Sequence, residues 1–160
     1  MTIQVGDSIP AMPLTLGTAE GPKATTTEEL FGGKTVVLFG VPGAFTPTCS
    51  AKHLPGFVQQ HDALVAKGAD VVACIAVNDA FVMAAWGKDQ GVGDNVVMVA
   101  DGSADFTKAL GVELDLTARG LGIRCQRFAL VAKDGKVTHI AVEAAGAFEV
   151  SKAEAVLAAL

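Results

Sequence analysis

An α/β fold with a mixed central sheet flanked by helices is what this sequence predicts, and three observations predict it. Four apolar runs rich in β-branched residues, 35–39, 70–77, 96–100 and 128–132, have strand length and read as strands buried on both faces. Helix-length segments separate the first three of these runs. The fourth is followed by the turn Asp134-Gly135 and a fifth run, 137–142, a gap short enough for an antiparallel hairpin.

The first helical segment covers roughly 48–67, where Leu54, Val58, Leu64 and Val65 form a loose apolar face and Gly68 stands where a helix end favours glycine. The second covers 79–90, with Asn78 or Asp79 as cap. A last helix is expected from Ser151 to the C-terminus, where Ser151 and Glu154 have capping-box spacing. Strand–helix–strand–helix–strand, then hairpin and helix, matches the thioredoxin-like arrangement with an N-terminal extension. At 160 residues, without linker, repeat or low-complexity tract, the chain reads as a single domain, 1–160.

Composition narrows the function. Hydrophobic residues make up 51% and charged ones 18%, which argues for a packed core rather than disorder. A net charge of −5, with no Lys/Arg cluster, argues against nucleic acid or an anionic membrane as partner. No apolar run approaches the roughly 18 residues of a membrane span, and the start lacks the basic region of a signal peptide. Three cysteines, Cys49, Cys74 and Cys125, without a CxxC pair, point to reduced thiols and a cytoplasmic location.

In open α/β sheets, ligands bind beyond the carboxyl ends of the strands. There the chain reads Gly40-Val41-Pro42-Gly43-Ala44-Phe45-Thr46-Pro47-Thr48-Cys49. Thr46 suits an N-cap and Pro47 the first helical position, so Cys49 falls in the first turn, facing free N–H groups and the positive end of the helix dipole. Such a place favours the thiolate, the reactive form of cysteine. The alternative for Cys49 is a small buried hydrophobe. Cys74, in mid-strand, reads as a core thiol. Cys125, in the basic stretch 122–127, reads as an exposed bystander with a modestly depressed pKa. Arg127 enters the fourth strand, either as a fork of donors for a thiolate and an oxygen substrate or as a solvated strand-end arginine. His53 lies four residues after Cys49, which permits a Cys–His pair, but no third orienting group stands in a recognisable place and no metal-ligand set surrounds it. His61 and His139 look like ordinary helix and hairpin positions. Neither a phosphate-binding glycine motif nor any other cofactor signature is present.

Pro42-x-x-x-Thr46-x-x-Cys49 resembles the peroxiredoxin signature, and the run GVPGAFTPTCSAKHLPGF over residues 40–57 is similar to the type II subfamily that includes peroxiredoxin-five. The similarity continues through Val5-Gly6-Asp7, Val77-Asn78-Asp79, Trp86 and Arg127-Phe128. The resemblance implies a thioredoxin-like fold and thiol-dependent reduction of hydrogen peroxide and organic hydroperoxides. It implies Cys49 as the peroxidatic cysteine, Thr46 as the holder of peroxide oxygen and thiolate, Pro42 as a shield from water and Arg127 as activator of both partners. It also implies a homodimer, with Phe45 and Phe81 as contacts. Some members carry a resolving cysteine in the stretch that corresponds to 143–151, and this chain has none there. The expectation is therefore a one-cysteine cycle without cofactor or metal, resolved by glutathione, alone or with glutaredoxin. Thioredoxin as reductant, a disulfide between Cys49 and Cys125, and a peroxide sensor without turnover are the alternatives.

Overall fold

The computed structural model describes residues 1–160 and has a seven-stranded sheet at its centre. In chain order the strands are β1 (Pro13–Thr18), β2 (Gly21–Thr26), β3 (Thr35–Gly40), β4 (Val71–Ala76), β5 (Val97–Ala100), β6 (Glu113–Leu116), β7 (Gly122–Cys125), β8 (Phe128–Lys133) and β9 (Lys136–Val142). The helices are α1 (Thr27–Phe31), α2 (Leu54–Gln59), α3 (His61–Ala66), α4 (Ala80–Asp89), α5 (Asp105–Leu110) and α6 (Ala153–Ala159). The sheet order is β2-β1-β5-β4-β3-β8-β9, with β6 and β7 paired apart. β3, β4 and β5 are parallel, while β1, β2, β8 and β9 join antiparallel, so the sheet is mixed.

Side chains alternate across a strand, and the continuous apolar runs divide accordingly. Val37 and Phe39 of β3, Cys74 and Ala76 of β4, and Ala129 and Val131 of β8 pack against Leu54, Phe57, Leu64, Met83, Trp86 and Val156 of the helices on one face. Their neighbours Val36, Leu38, Ala73, Ile75, Leu130 and Ala132 pack with Leu30, Phe31, Phe106 and Leu110 on the other. All five expected strands are present to within a residue or two. Asp134 and Gly135 both have positive φ (49° and 75°), the conformation that a two-residue hairpin turn demands.

The structure adds elements that the periodicity does not reveal. β1 and β2 form a hairpin whose burial alternates weakly, and β6, β7, α1 and α5 are only four to six residues long. Two helix readings are corrected. The segment 48–67 is not one helix: the chain turns helical at Pro47, widens into a π-helical turn over Cys49–His53, continues as α2 and breaks at Gln60 before α3. Pro55 has no N–H to return to the carbonyl four residues earlier, and the ladder instead steps out, with Leu54 N–H bonding Cys49 O. The last helix begins at Ala153, and its cap position, Lys152, contributes no side-chain bond; Ser151 is engaged elsewhere. Asp79 does cap α4, accepting from Val82 N–H at 2.9 Å, and Gly68 closes α3 with φ +110°.

Candidate active site

The site forms where β3 ends and the chain turns into its first helical segment. Gly40, the last residue of β3, is squeezed between strands: a Cβ there would lie 2.2 Å from the Phe128 ring and 2.9 Å from Cys125 Sγ. The following loop carries Phe45 with φ +62°, a left-handed conformation rare for a bulky residue, and Ala44 N–H donates to Asn78 Oδ1 at 2.9 Å, tying this loop to the one before α4. Thr46 occupies the residue before the helical turn but does not cap it through its hydroxyl. Its Oγ1 donates to Gly43 O at 2.7 Å, which leaves its oxygen lone pairs for another donor. Ser50 N–H is bonded back to Thr46 O at 2.9 Å; the N–H groups ahead of it, that of Cys49 among them, are those a helix start leaves without intrahelical partners.

Cys49 is fully buried in the first turn. Arg127, the residue just before β8, reaches across β3 and donates from Nη2 to Cys49 Sγ at 3.2 Å and from Nη1 to His53 Nδ1 at 2.8 Å. The solvated strand-end alternative for Arg127 is set aside by these two contacts. His53 is fully buried, stacked among Phe39, Phe57 and Phe148 with centroid separations of 4.9, 5.6 and 5.1 Å, and its Nε2 meets Ser151 O at 3.0 Å. Burial drives its pKa down to about 3, helped by the Arg127 charge and opposed by the Ser151 carbonyl, so the ring is neutral. Phe148 also lies near the guanidinium, 5.8 Å from ring centroid to Cζ. Pro42 is half-buried at the loop start, and Arg124 Nη1 donates to its carbonyl at 3.4 Å. Trp86 of α4 donates its indole N–H to Ser50 Oγ at 3.0 Å.

Cys49, Arg127 and His53 are thus brought together, with Thr46 and Pro42 on the same short loop. Cys74 is a core thiol as expected, and burial raises its pKa well above the ordinary value. Cys125 is not the exposed thiol that its basic neighbours suggest. It is fully buried at the end of β7, donates to Gln126 O at 3.1 Å, and burial pushes its pKa up. The apolar floor formed by β3 and β8 outweighs the nearby charges. His53, which the sequence places only as a fourth-residue neighbour of Cys49, turns out to hold Arg127 instead. Periodicity carries no signal for this, because the partners are 74 residues apart. No group of three or more His, Cys, Asp or Glu side chains is gathered to hold a metal ion. A groove of about 960 Å³, lined by β1, α4 and residues 91–98, contains none of these residues.

A thioredoxin-like sheet with a buried cysteine at a helix start defines a redox class of protein, and comparison with known proteins agrees. The Redoxin family model matches residues 4–157. More particularly, the chain belongs to the peroxiredoxin family. It is 51% identical to peroxiredoxin-2E-2, chloroplastic, of Oryza sativa subsp. japonica (99% of this chain, 73% of that protein) and 49% identical to peroxiredoxin-2B of Arabidopsis thaliana (99% and 98%). Among solved structures, reduced Prx3 of Vibrio vulnificus in complex with hydrogen peroxide is 51% identical with a TM-score of 0.93 (99% of both chains), and peroxiredoxin 5 of Alvinella pompejana is 34% identical with a TM-score of 0.87 (98% and 97%). The chain is accordingly a peroxiredoxin thiol peroxidase, an oxidoreductase that takes a peroxide and a thiol reductant.

Proposed function

We propose that peroxide reduction occurs at Cys49, in a one-cysteine cycle completed by an external thiol. The observation that carries this reading is the Arg127 guanidinium, 3.2 Å from Cys49 Sγ and held on its other side by His53. The thiolate attacks the terminal peroxide oxygen, forming an S–O bond as the O–O bond breaks. The electron pair goes to the departing oxygen, which takes a proton and leaves as water or alcohol; sulfur is oxidised to sulfenic acid. Arg127 Nη2 and the N–H groups of the first turn bind the charge that moves from sulfur onto oxygen. Thr46 Oγ1, its proton engaged by Gly43 O, accepts from the peroxide O–H and orients it. Pro42 walls the pocket against water. No cofactor or metal takes part.

An external reductant is favoured because Cys74 and Cys125 are both buried, with pKa values raised by that burial, and no cysteine follows Cys125. Glutathione, alone or with glutaredoxin, is the reductant we propose; thioredoxin is the second reading. The run 40–57 and the match to peroxiredoxin 5 of Alvinella pompejana support the type II subfamily. The exposed Phe45 (54%), on the loop before Cys49, and Phe81 (72%), in the first turn of α4 just after the loop that Asn78 ties to it, support a homodimer beside the site. Three cysteines without a CxxC pair support a reducing compartment such as the cytoplasm. The test follows peroxide consumption with glutathione and glutaredoxin, and separately with thioredoxin and its reductase, against Cys49→Ser. Turnover with the glutathione system that Cys49→Ser abolishes supports the proposal; turnover with thioredoxin alone overturns the reductant, and oxidation without turnover favours a sensor.

A further inference from the structure

Residues 143–151 follow β9 and carry nothing assigned to the reaction so far. Yet this segment grips Arg127 at both ends. Glu143 N–H donates to the Arg127 backbone carbonyl at 2.9 Å. The Glu143 carboxylate, itself buried, accepts through Oε2 from Ser151 Oγ (2.7 Å), Ser151 N–H (2.9 Å) and Glu149 N–H (2.7 Å). Burial pushes its pKa up, but these donors prevail and hold it below the usual glutamate value. Ser151 is fully buried, and its carbonyl, fixed by that clasp, receives His53 Nε2–H at 3.0 Å.

The tautomer follows from these partners. A neutral imidazole donates from one nitrogen and accepts at the other. A carbonyl can only accept, so Ser151 O selects the Nε2–H form and leaves Nδ1 bare. A guanidinium can only donate, so a bare Nδ1 is what Arg127 Nη1 requires. With Nη1 committed, the planar fork has little freedom, and Nη2 is aimed at Cys49 Sγ. We propose that Glu143 and Ser151 are positioning residues for peroxide reduction, acting through His53 to aim the Arg127 guanidinium at Cys49. This rests on the reading of Arg127 as the group that binds the developing charge. Loss of the clasp leaves the cysteine and arginine in place but unaligned, at a cost in rate out of proportion to any loss of stability.

The test is a double-substitution cycle on the second-order rate constant for oxidation by hydrogen peroxide, read by stopped-flow fluorescence of Trp86. Glu143→Ala is expected to slow oxidation about 10-fold, while Glu143→Gln, whose amide oxygen still accepts from the three donors, recovers most of the rate. In a His53→Leu background Glu143→Ala is expected to cost nothing further, because its route to Arg127 is already cut. A Glu143→Ala rate within about twofold of the parent, or effects that multiply with those of His53→Leu, overturns the proposal. Should Glu143→Ala not fold, Ser151→Ala removes one donor and keeps the carbonyl; a slowing of about two- to threefold that vanishes in His53→Leu supports the relay, and an unchanged rate overturns it. Arg127→Met separates the two readings: if it leaves the rate unaltered, the role of Arg127 fails, whereas if it slows oxidation and Glu143→Ala does not, only the relay fails.

Discussion

Arg127→Met removes both donors of the guanidinium fork while keeping much of the apolar stem. The donor facing Cys49 lies 3.2 Å from sulfur. At an effective dielectric near 20, unit charges at that distance attract by roughly 5 kcal/mol, part of which offsets the desolvation of the two groups. Losing one donor aimed at developing charge costs about 3–4 kcal/mol in comparable sites, so the second-order rate constant for hydrogen peroxide is expected to fall by about 100- to 1000-fold. Arg127→Lys places one ammonium where two nitrogens are needed, for Cys49 Sγ and His53 Nδ1, and is expected to recover only about tenfold of that loss. The assay is stopped-flow fluorescence. Trp86 is the sole tryptophan, and its indole N–H bonds Ser50 Oγ, next to Cys49, so its emission follows oxidation of the neighbouring sulfur. Melting curves of each variant separate misfolding from lost catalysis. A folded Arg127→Met protein that reacts within about threefold of the parent rate refutes the electrostatic role of the guanidinium.

Three further outcomes are expected. Gly40→Ala forces a methyl against the Phe128 ring and Cys125 Sγ, and should lower stability by about 1–3 kcal/mol or more, read as a drop in Tm. His53 is neutral in the native state, with its pKa lowered from 6.5 to about 3, whereas the unfolded chain takes up a proton below pH 6.5. Its contribution is therefore complete above pH 6.5 and lost as pH falls toward 3, at about 1.4 kcal/mol per pH unit; urea unfolding should show an acid limb that is steeper than that of His53→Asn by about 2 kcal/mol at pH 5. Cys125→Ser, whose hydroxyl can keep the bond to Gln126 O, should leave peroxidase turnover within about twofold of the parent, and a turnover lost in this variant would put Cys125 into the cycle.

Much of the fold is legible in the amino-acid sequence. β3, β4, β5 and β8 announce themselves because they are buried on both faces, so 36–39, 72–76 and 128–132 read as unbroken apolar runs. The hairpin β1–β2 does not, because Pro13, Gly17, Gly21 and Pro22 interrupt an edge whose outer face is polar and exposed. The π-helical widening within 48–67 is written in Pro55, although a loose apolar face conceals it. Cys49 stands out through local signals: a strand end, a cap position and a proline. His53 and Glu143 do not: what assigns His53 is contact across long stretches of chain, to 127 and 151, and what assigns Glu143 is a clasp through an irregular loop to 151, and no periodicity encodes either. Cys125 misleads for the converse reason: its sequence neighbours Arg124, Gln126 and Arg127 are polar, while its spatial neighbours Gly40 and the Phe128 side of the sheet are apolar.

The most direct measurement treats the reduced protein with one equivalent of hydrogen peroxide in the presence of a 1,3-dione that traps sulfenic acid, and maps the adduct by peptide mass spectrometry. The adduct is expected on the peptide containing Cys49, with Cys74 and Cys125 unmodified, and Cys49→Ser should give no adduct and consume no peroxide. An adduct on Cys74 or Cys125 with Cys49 intact, or undiminished peroxide consumption by Cys49→Ser, would place the chemistry elsewhere and contradict the role of Cys49.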